Sequence, residues 1–147
     1  RTPITGPRDE VDEEFVRVIR INLTGHFFVT RAALPLIEPG GRIIFTASIW
    51  SKAAGPEYTA YCASKHGMNG FADALAQELL EKNVLVSTIC PGGIDTPLWD
   101  PVENPYPGDK ERIIQPEEIV NLIEYLLDQP DRTLFKKVVA FPTNEWH

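Results

Sequence analysis

Two cysteines, Cys62 and Cys90, are all that 147 residues contain. They are too few for a disulfide framework and have no metal-ligand spacing, so both are expected to be buried as small hydrophobes in a reducing cytoplasm. Basic residues are also short. Fourteen Lys and Arg against 21 Asp and Glu give a net charge of −7, which leaves no basic stripe to neutralise a phosphate backbone and excludes nucleic acid as the main partner. The longest apolar runs, such as Ile43-Ile44-Phe45, fall far short of the roughly 20 residues of a membrane helix, and no charged segment leads into an apolar one as in a signal peptide. Internal repeats are absent. No Gly-x-Ser-x-Gly elbow surrounds Ser48, so a hydrolase triad with His26 or His66 is disfavoured. A Gly-x-Gly-x-x-Gly cluster is missing too: Gly40-Gly41 and Gly92-Gly93 are isolated turns, and a pyrophosphate finds no cradle in them.

What is present is an ordinary globular composition, 43% hydrophobic and 24% charged, sized for one domain over 1–147. Three helical patterns stand out. Over 9–34 the apolar positions Phe15, Ile19, Val29 and Ala33 recur at helical spacing behind an acidic first turn. Over 59–82 the row Ala60, Ser64, Gly67, Phe71, Leu75 and Leu79 gives a second helix, closed by Asn83 as a left-handed cap. Its glycines and alanines form a small-residue surface suited to close helix approach. Over 116–128 a third helix opens on Pro116 and buries Ile119, Ile123, Leu126 and Leu127. Between these lie apolar, β-branched runs at 42–47, 84–90 and 135–141, which read as strands buried on both faces. Alternation with helices makes them parallel βαβ units. Prolines crowd the stretch from Pro91 to Pro116, so 97–115 reads as a long loop over the carboxyl ends of the strands. Ligand chemistry belongs at those ends.

Ser48 follows the first strand, and Tyr61 and Lys65 open the second helix at i and i+4, on one face. A tyrosine is a poor base, but a lysine cation beside it favours the phenolate and is expected to bring its pKa toward the working range. A serine hydroxyl nearby can hold a substrate oxygen for the same phenol. The tyrosine–lysine spacing is weak evidence alone. Tyr106 and Lys110 repeat it, but Pro107-Gly108 between them forbids a helix. Asn22 sits on the apolar face of the first helix, where an amide needs a partner or a water. Trp50, Tyr58 and Trp99 cluster around the site in sequence and read as an apolar substrate wall or as lid packing.

Four motifs in order, Ile21-Asn22-Leu23-Thr24-Gly25, Ser48, Tyr61 to Lys65, and Pro91-Gly92-Gly93-Ile94-Asp95-Thr96, resemble the short-chain dehydrogenase/reductases. The resemblance implies a Rossmann-like doubly wound parallel sheet, here its C-terminal portion of about three strands and three helices. It further implies hydride transfer between NAD or NADP and a small-molecule carbonyl or secondary alcohol. Tyr61 would be proton donor or acceptor, Ser48 would orient the carbonyl, Lys65 would tune Tyr61 and bond the nicotinamide ribose, and Asn22 would hold a relay water. Pro91, Gly92, Ile94 and Thr96 would line the nicotinamide, and 97–115 would be the substrate lid. The helices over 9–34 and 59–82 would pair with a twin subunit in a homodimer or homotetramer.

Two family elements are not in the sequence: the glycine-rich first turn and an Asn-Asn-Ala-Gly segment. The C-terminal Phe141-Pro142-Thr143-Asn144-Glu145-Trp146-His147 also replaces the family's glycine-rich ending. The expectation is therefore a remainder of a longer enzyme, short of about 85 residues at mean element lengths. A sheet so cut would show an unpaired edge and an uncovered apolar face. The rival expectation is a catalytically silent half-domain acting as a dimerising module.

Overall fold

The computed structural model describes residues 3–102, 105, 106 and 108–144. Helix α1 (Arg8–Ile19) opens on Asp9 and Glu10, whose charges suit the helix N-terminus. It continues through one π-helical turn, Arg20–Thr24, into α2 (Gly25–Ala33). One continuous rod thus covers the range expected for the first helix, with an unforeseen bulge at Asn22. Strand β1 (Arg42–Thr46) follows, then α3 (Thr59–Glu78), β2 (Leu85–Pro91), α4 (Pro116–Leu127) and β3 (Lys137–Ala140). Helix α3 ends in a 3-10 turn, Leu80–Lys82, and Asn83 takes the left-handed conformation expected of it, φ 52° and ψ 40°. Helix α4 starts at Pro116 behind a capping box, in which the Gln115 N–H donates to Glu118 Oε2 at 2.7 Å.

The three strands form one parallel sheet in the order β1-β2-β3, with Thr46 opposite Ile89 and Pro91 opposite Ala140. Side chains alternate between its faces. Phe45, Val86 and Cys90 meet Met68, Ala72 and Leu75 of α3 on one face, while Ile89 meets Ile119 and Leu126 of α4 on the other. The rod lies outside α3, and Leu23 sits where a Cβ on Gly67 would be 2.8 Å from its Cδ2, which explains that glycine. Both cysteines are buried.

Several expected burials differ. Phe15, Val29 and Leu127 remain 42%, 70% and 50% exposed. Helical spacing fixes which residues share a stripe, not whether anything covers it. Among the described residues β1 pairs on one side only, and a cavity of about 540 Å³ lies along it, lined by Ile21, His26, Val29, Ile43, Phe45 and Thr46.

Asp73 of α3 clamps β3, accepting from Lys137 Nζ at 2.6 Å with Lys136 Nζ at 3.4 Å. The Lys137 hydrogen bond holds the Asp73 carboxyl below the ordinary aspartate range. Because the folded value is the lower one, the stabilisation is complete above about pH 4 and is lost as pH falls through the native value. The side chain is about a third exposed, so solvent screens the pair. Asp73→Asn is expected to cost about 0.5–1 kcal/mol at neutral pH. Urea midpoints of the two proteins should converge in acid; a constant gap would assign the loss to packing.

Candidate active site

Parallel pairing brings the carboxyl ends of β1 and β2 side by side, and the chain beyond each enters one corner of the molecule. Ser48, two residues past β1, is buried in extended backbone, φ −170° and ψ 163°. Its Oγ accepts the Trp50 N–H at 3.2 Å, and the Ser51 hydroxyl donates to its carbonyl. Buried Asn69 of α3 steadies this turn by donating to the Ser51 carbonyl at 3.2 Å. Ser51 and Asn69 were not legible as site residues, since a buried serine and a mid-helix asparagine carry no motif.

Tyr61 lies in the first turn of α3 and shares a hydrogen bond with the Ser48 hydroxyl. Lys65, one turn on, places Nζ 5.6 Å from the centre of the Tyr61 ring and donates to the Thr46 carbonyl at 3.3 Å. The three residues singled out in the sequence are therefore together. The expected lowering of the tyrosine is not what the geometry gives. Burial pushes the Tyr61 phenol above its ordinary value, and the Ser48 hydrogen bond draws it part of the way back. The ammonium stands over the ring and is drawn toward a backbone carbonyl, so burial prevails. Burial likewise lowers Lys65.

Asn22, in the π-turn, donates to Ser64 Oγ at 3.3 Å, and Ser64 donates to the Tyr61 carbonyl at 2.7 Å. A π-turn in a helix is frequent at functional sites; this one aims Asn22 at the helix that carries Tyr61. Ser64 is fully buried and was read from sequence only as a small packing residue. Neither histidine is placed as a partner of Ser48: His26 packs beside Phe45, and His66 Nδ1 is 3.0 Å from the Cys62 carbonyl.

Past β2, the Gly92 N–H donates to the Ala140 carbonyl, and Ile94 bridges Ile114 as an isolated parallel pair. Pro91, Gly92, Ile94 and Thr96 thus form the segment leading into the loop over 97–115. The base of that loop is closed by the Ile94–Ile114 bridge and by Lys110, whose Nζ lies 2.6 Å from Asp100 and 3.1 Å from Asp95. The Tyr106–Lys110 repeat is accordingly no acid/base pair, and Tyr106 packs edge-on to Trp99 at 5.3 Å. Of the stretch expected from sequence to be a lid, residues 103, 104 and 107 lie outside the described residues. Of the aromatic trio, Trp50 and Tyr58 stack at 4.9 Å and 12°, with Tyr58 edge-on to Tyr61 at 6.5 Å. Trp99 sits in a 3-10 turn of the loop, its Nε1–H on the Ile94 carbonyl at 2.9 Å.

The residues present suit one end of a nicotinamide cofactor. Lys65 has three N–H donors and, among the described residues, one carbonyl acceptor, so donors remain for ribose hydroxyls beside Tyr61. A pyrophosphate cradle is not among these 147 residues.

The family described as short chain dehydrogenase matches residues 4–106. A probable tetrahydroxynaphthalene reductase of Zymoseptoria tritici is 31% identical over 152 residues, covering 90% of this chain and 57% of that protein. The tetrahydroxynaphthalene reductase of Pyricularia oryzae is 37% identical over 111 residues, covering 75% and 39%. The chain thus spans about half the length of the curated relatives it matches. Among solved structures, a 4-hydroxyisoleucine dehydrogenase complexed with NADH and succinate superposes with a TM-score of 0.75 at 31% identity, covering 96% of this chain and 61% of that one.

Proposed function

The chain belongs to the short chain dehydrogenase family, a family of oxidoreductases with a Rossmann-type fold, and from that premise we propose that Tyr61 is the general acid/base for NAD(P)-linked interconversion of a ketone and a secondary alcohol. The observation that carries this reading is the convergence of Tyr61, Ser48 and Lys65 at the carboxyl end of the sheet. When bound, NAD(P)H supplies the hydride. Ser48 and Tyr61 donate to the carbonyl oxygen and hold its carbon in place, and Tyr61 gives its proton to that oxygen as the alcohol forms. Lys65 stabilises the phenolate left behind and holds the ribose. The Asn22 amide oxygen accepts a water that returns the proton. Pro91, Gly92, Ile94 and Thr96 border the nicotinamide, with Trp50, Tyr58 and Trp99 as the apolar boundary on the substrate side. That boundary, with the names of two relatives, favours a flat fused-ring ketone as substrate.

The test is nicotinamide-linked turnover of a ketone panel that includes hydroxynaphthalenones. Turnover with ring ketones supports the reading, and calorimetry showing no nicotinamide affinity would favour the silent scaffold. We also propose a homo-oligomer built on the α1–α2 rod and α3. Phe28 and Val16 are 59% and 64% exposed there, and a Cβ on Gly70 would meet nothing within 4 Å, so Gly70 has no packing role among the described residues. Gly70→Arg is expected to lower the sedimenting mass to that of one chain, while Gly70→Ala leaves it unchanged. A wild-type protein already monomeric at micromolar concentration would refute the pairing.

A further inference from the structure

Four residues, Trp50, Ser48, Tyr61 and Tyr58, close a ring of contacts that includes the acid/base group. Trp50 donates its N–H to Ser48 Oγ at 3.2 Å. The same hydroxyl is the Tyr61 phenol's hydrogen-bond partner and draws its pKa down. The Trp50 indole lies flat on Tyr58 at 4.9 Å, and Tyr58 meets the Tyr61 ring edge-on at 6.5 Å. On its other flank the indole rests against Gly55, where a Cβ would come within 2.8 Å of Cη2 and 2.9 Å of Cζ3. Any other L-residue at 55 would therefore displace a rigid ring. The same turn holds Glu57 at φ 67°, a conformation that a residue with a Cβ adopts rarely and that persists where the surroundings impose it. Here it delivers Tyr58 onto the indole.

We propose that Trp50 is a positioning residue for the acid/base pair, holding Ser48 through its backbone and Tyr61 through Tyr58, with Gly55 as the seat of its ring. The inference rests on the proposed role of Tyr61 and adds to it a residue that needs no contact with substrate. The groups acting on the phenol are Ser48 from the end of β1, Tyr58 and Cys62 beside it, and the Lys65 ammonium over its ring. Of these influences burial is the largest. Without the indole against it Tyr58 is expected to draw back from Tyr61 and admit water, a change larger than any loosening of Ser48, whose partner amide survives in every variant.

The experiment follows Tyr61 ionisation by ultraviolet absorbance, as the difference between each protein and its Tyr61→Phe counterpart, together with kcat and KM. Trp50→Ala and Gly55→Ala are expected to move the Tyr61 titration to lower pH and to reduce kcat about tenfold through misplacement of the proton donor. Trp50→Phe, which keeps a ring for Tyr58, should restore most of both. Gly55→Ala leaves the core untouched and carries the test if Trp50→Ala does not fold. A titration unmoved in both variants would overturn the proposal, as would a loss confined to KM, which would make Trp50 a substrate contact only. Failure of the wild-type protein to turn over any ketone would contradict the proposed function, and the titration would still decide the role of Trp50.

Discussion

Tyr61→Phe is expected to lower kcat by about 10³-fold, in the middle of the range for a general acid/base, while leaving KM within a few-fold of wild type. That loss corresponds to about 4 kcal/mol of transition-state stabilisation. The reason for so uneven an effect is geometric. Phenylalanine keeps the ring that meets Tyr58 edge-on and lies under the Lys65 ammonium, so the packing of the α3 first turn survives. Only the hydroxyl goes, and with it the proposed general acid, while Ser48 stays as a hydrogen-bond donor. Steady-state kinetics with a nicotinamide cofactor and a ring ketone would measure it. A variant within tenfold of wild type would remove Tyr61 from the mechanism.

Ser48→Ala should cost about 10²-fold in kcat, as for one hydrogen-bond donor to a developing oxyanion, and should carry a signature in pH. In alcohol oxidation Tyr61 must be ionised to accept a proton, so the rate rises with pH through its titration. The Ser48 hydrogen bond lowers that titration; without it the rising limb moves to higher pH. The sign is opposite to that expected for Trp50→Ala, which acts by admitting water. The same change removes the Ser48 oxygen that accepts the Trp50 N–H, a cap whose loss costs about 1 kcal/mol of stability. Ser48→Thr keeps the hydroxyl and should recover part of the rate. An alanine variant with an unshifted profile would show that Ser48 does not act on Tyr61.

Much of this arrangement was readable from residue order because its causes are local. Asn83 announces a left-handed cap, Pro116 a first turn, and the run from Val84 to Cys90 a strand covered on both sides; β2 is the central strand. Tyr61 and Lys65 were placed by helical period and Ser48 by the end of a strand. Pro107-Gly108 disqualified the repeat at Tyr106, whose ring turned out to pack on Trp99. Other features depend on what the chain meets far away. Nothing in Arg20-Ile21-Asn22-Leu23-Thr24 distinguishes a π-turn from an α-turn; the distant Ser64, 42 positions on, is what Asn22 bonds. Ser64, Ser51 and Asn69 look like ordinary helix and turn residues until folding buries them together. The rise of the Tyr61 pKa has the same kind of cause. The sequence shows a cation four residues away but not the depth of the phenol, and depth is the larger effect. Exposure of Phe15 and Val29 was equally invisible, since spacing defines a stripe and not its cover.

Transfer of deuterium from a nicotinamide cofactor labelled at its hydride position to a ring ketone, in the natural protein that carries these residues, measures the proposed reaction most directly. The prediction is deuterium on the carbinol carbon of the product in the wild-type protein, with the rate of transfer about 10³-fold lower in Tyr61→Phe that is folded by circular dichroism. Unlabelled alcohol, or equal rates of transfer by the two proteins, would contradict it.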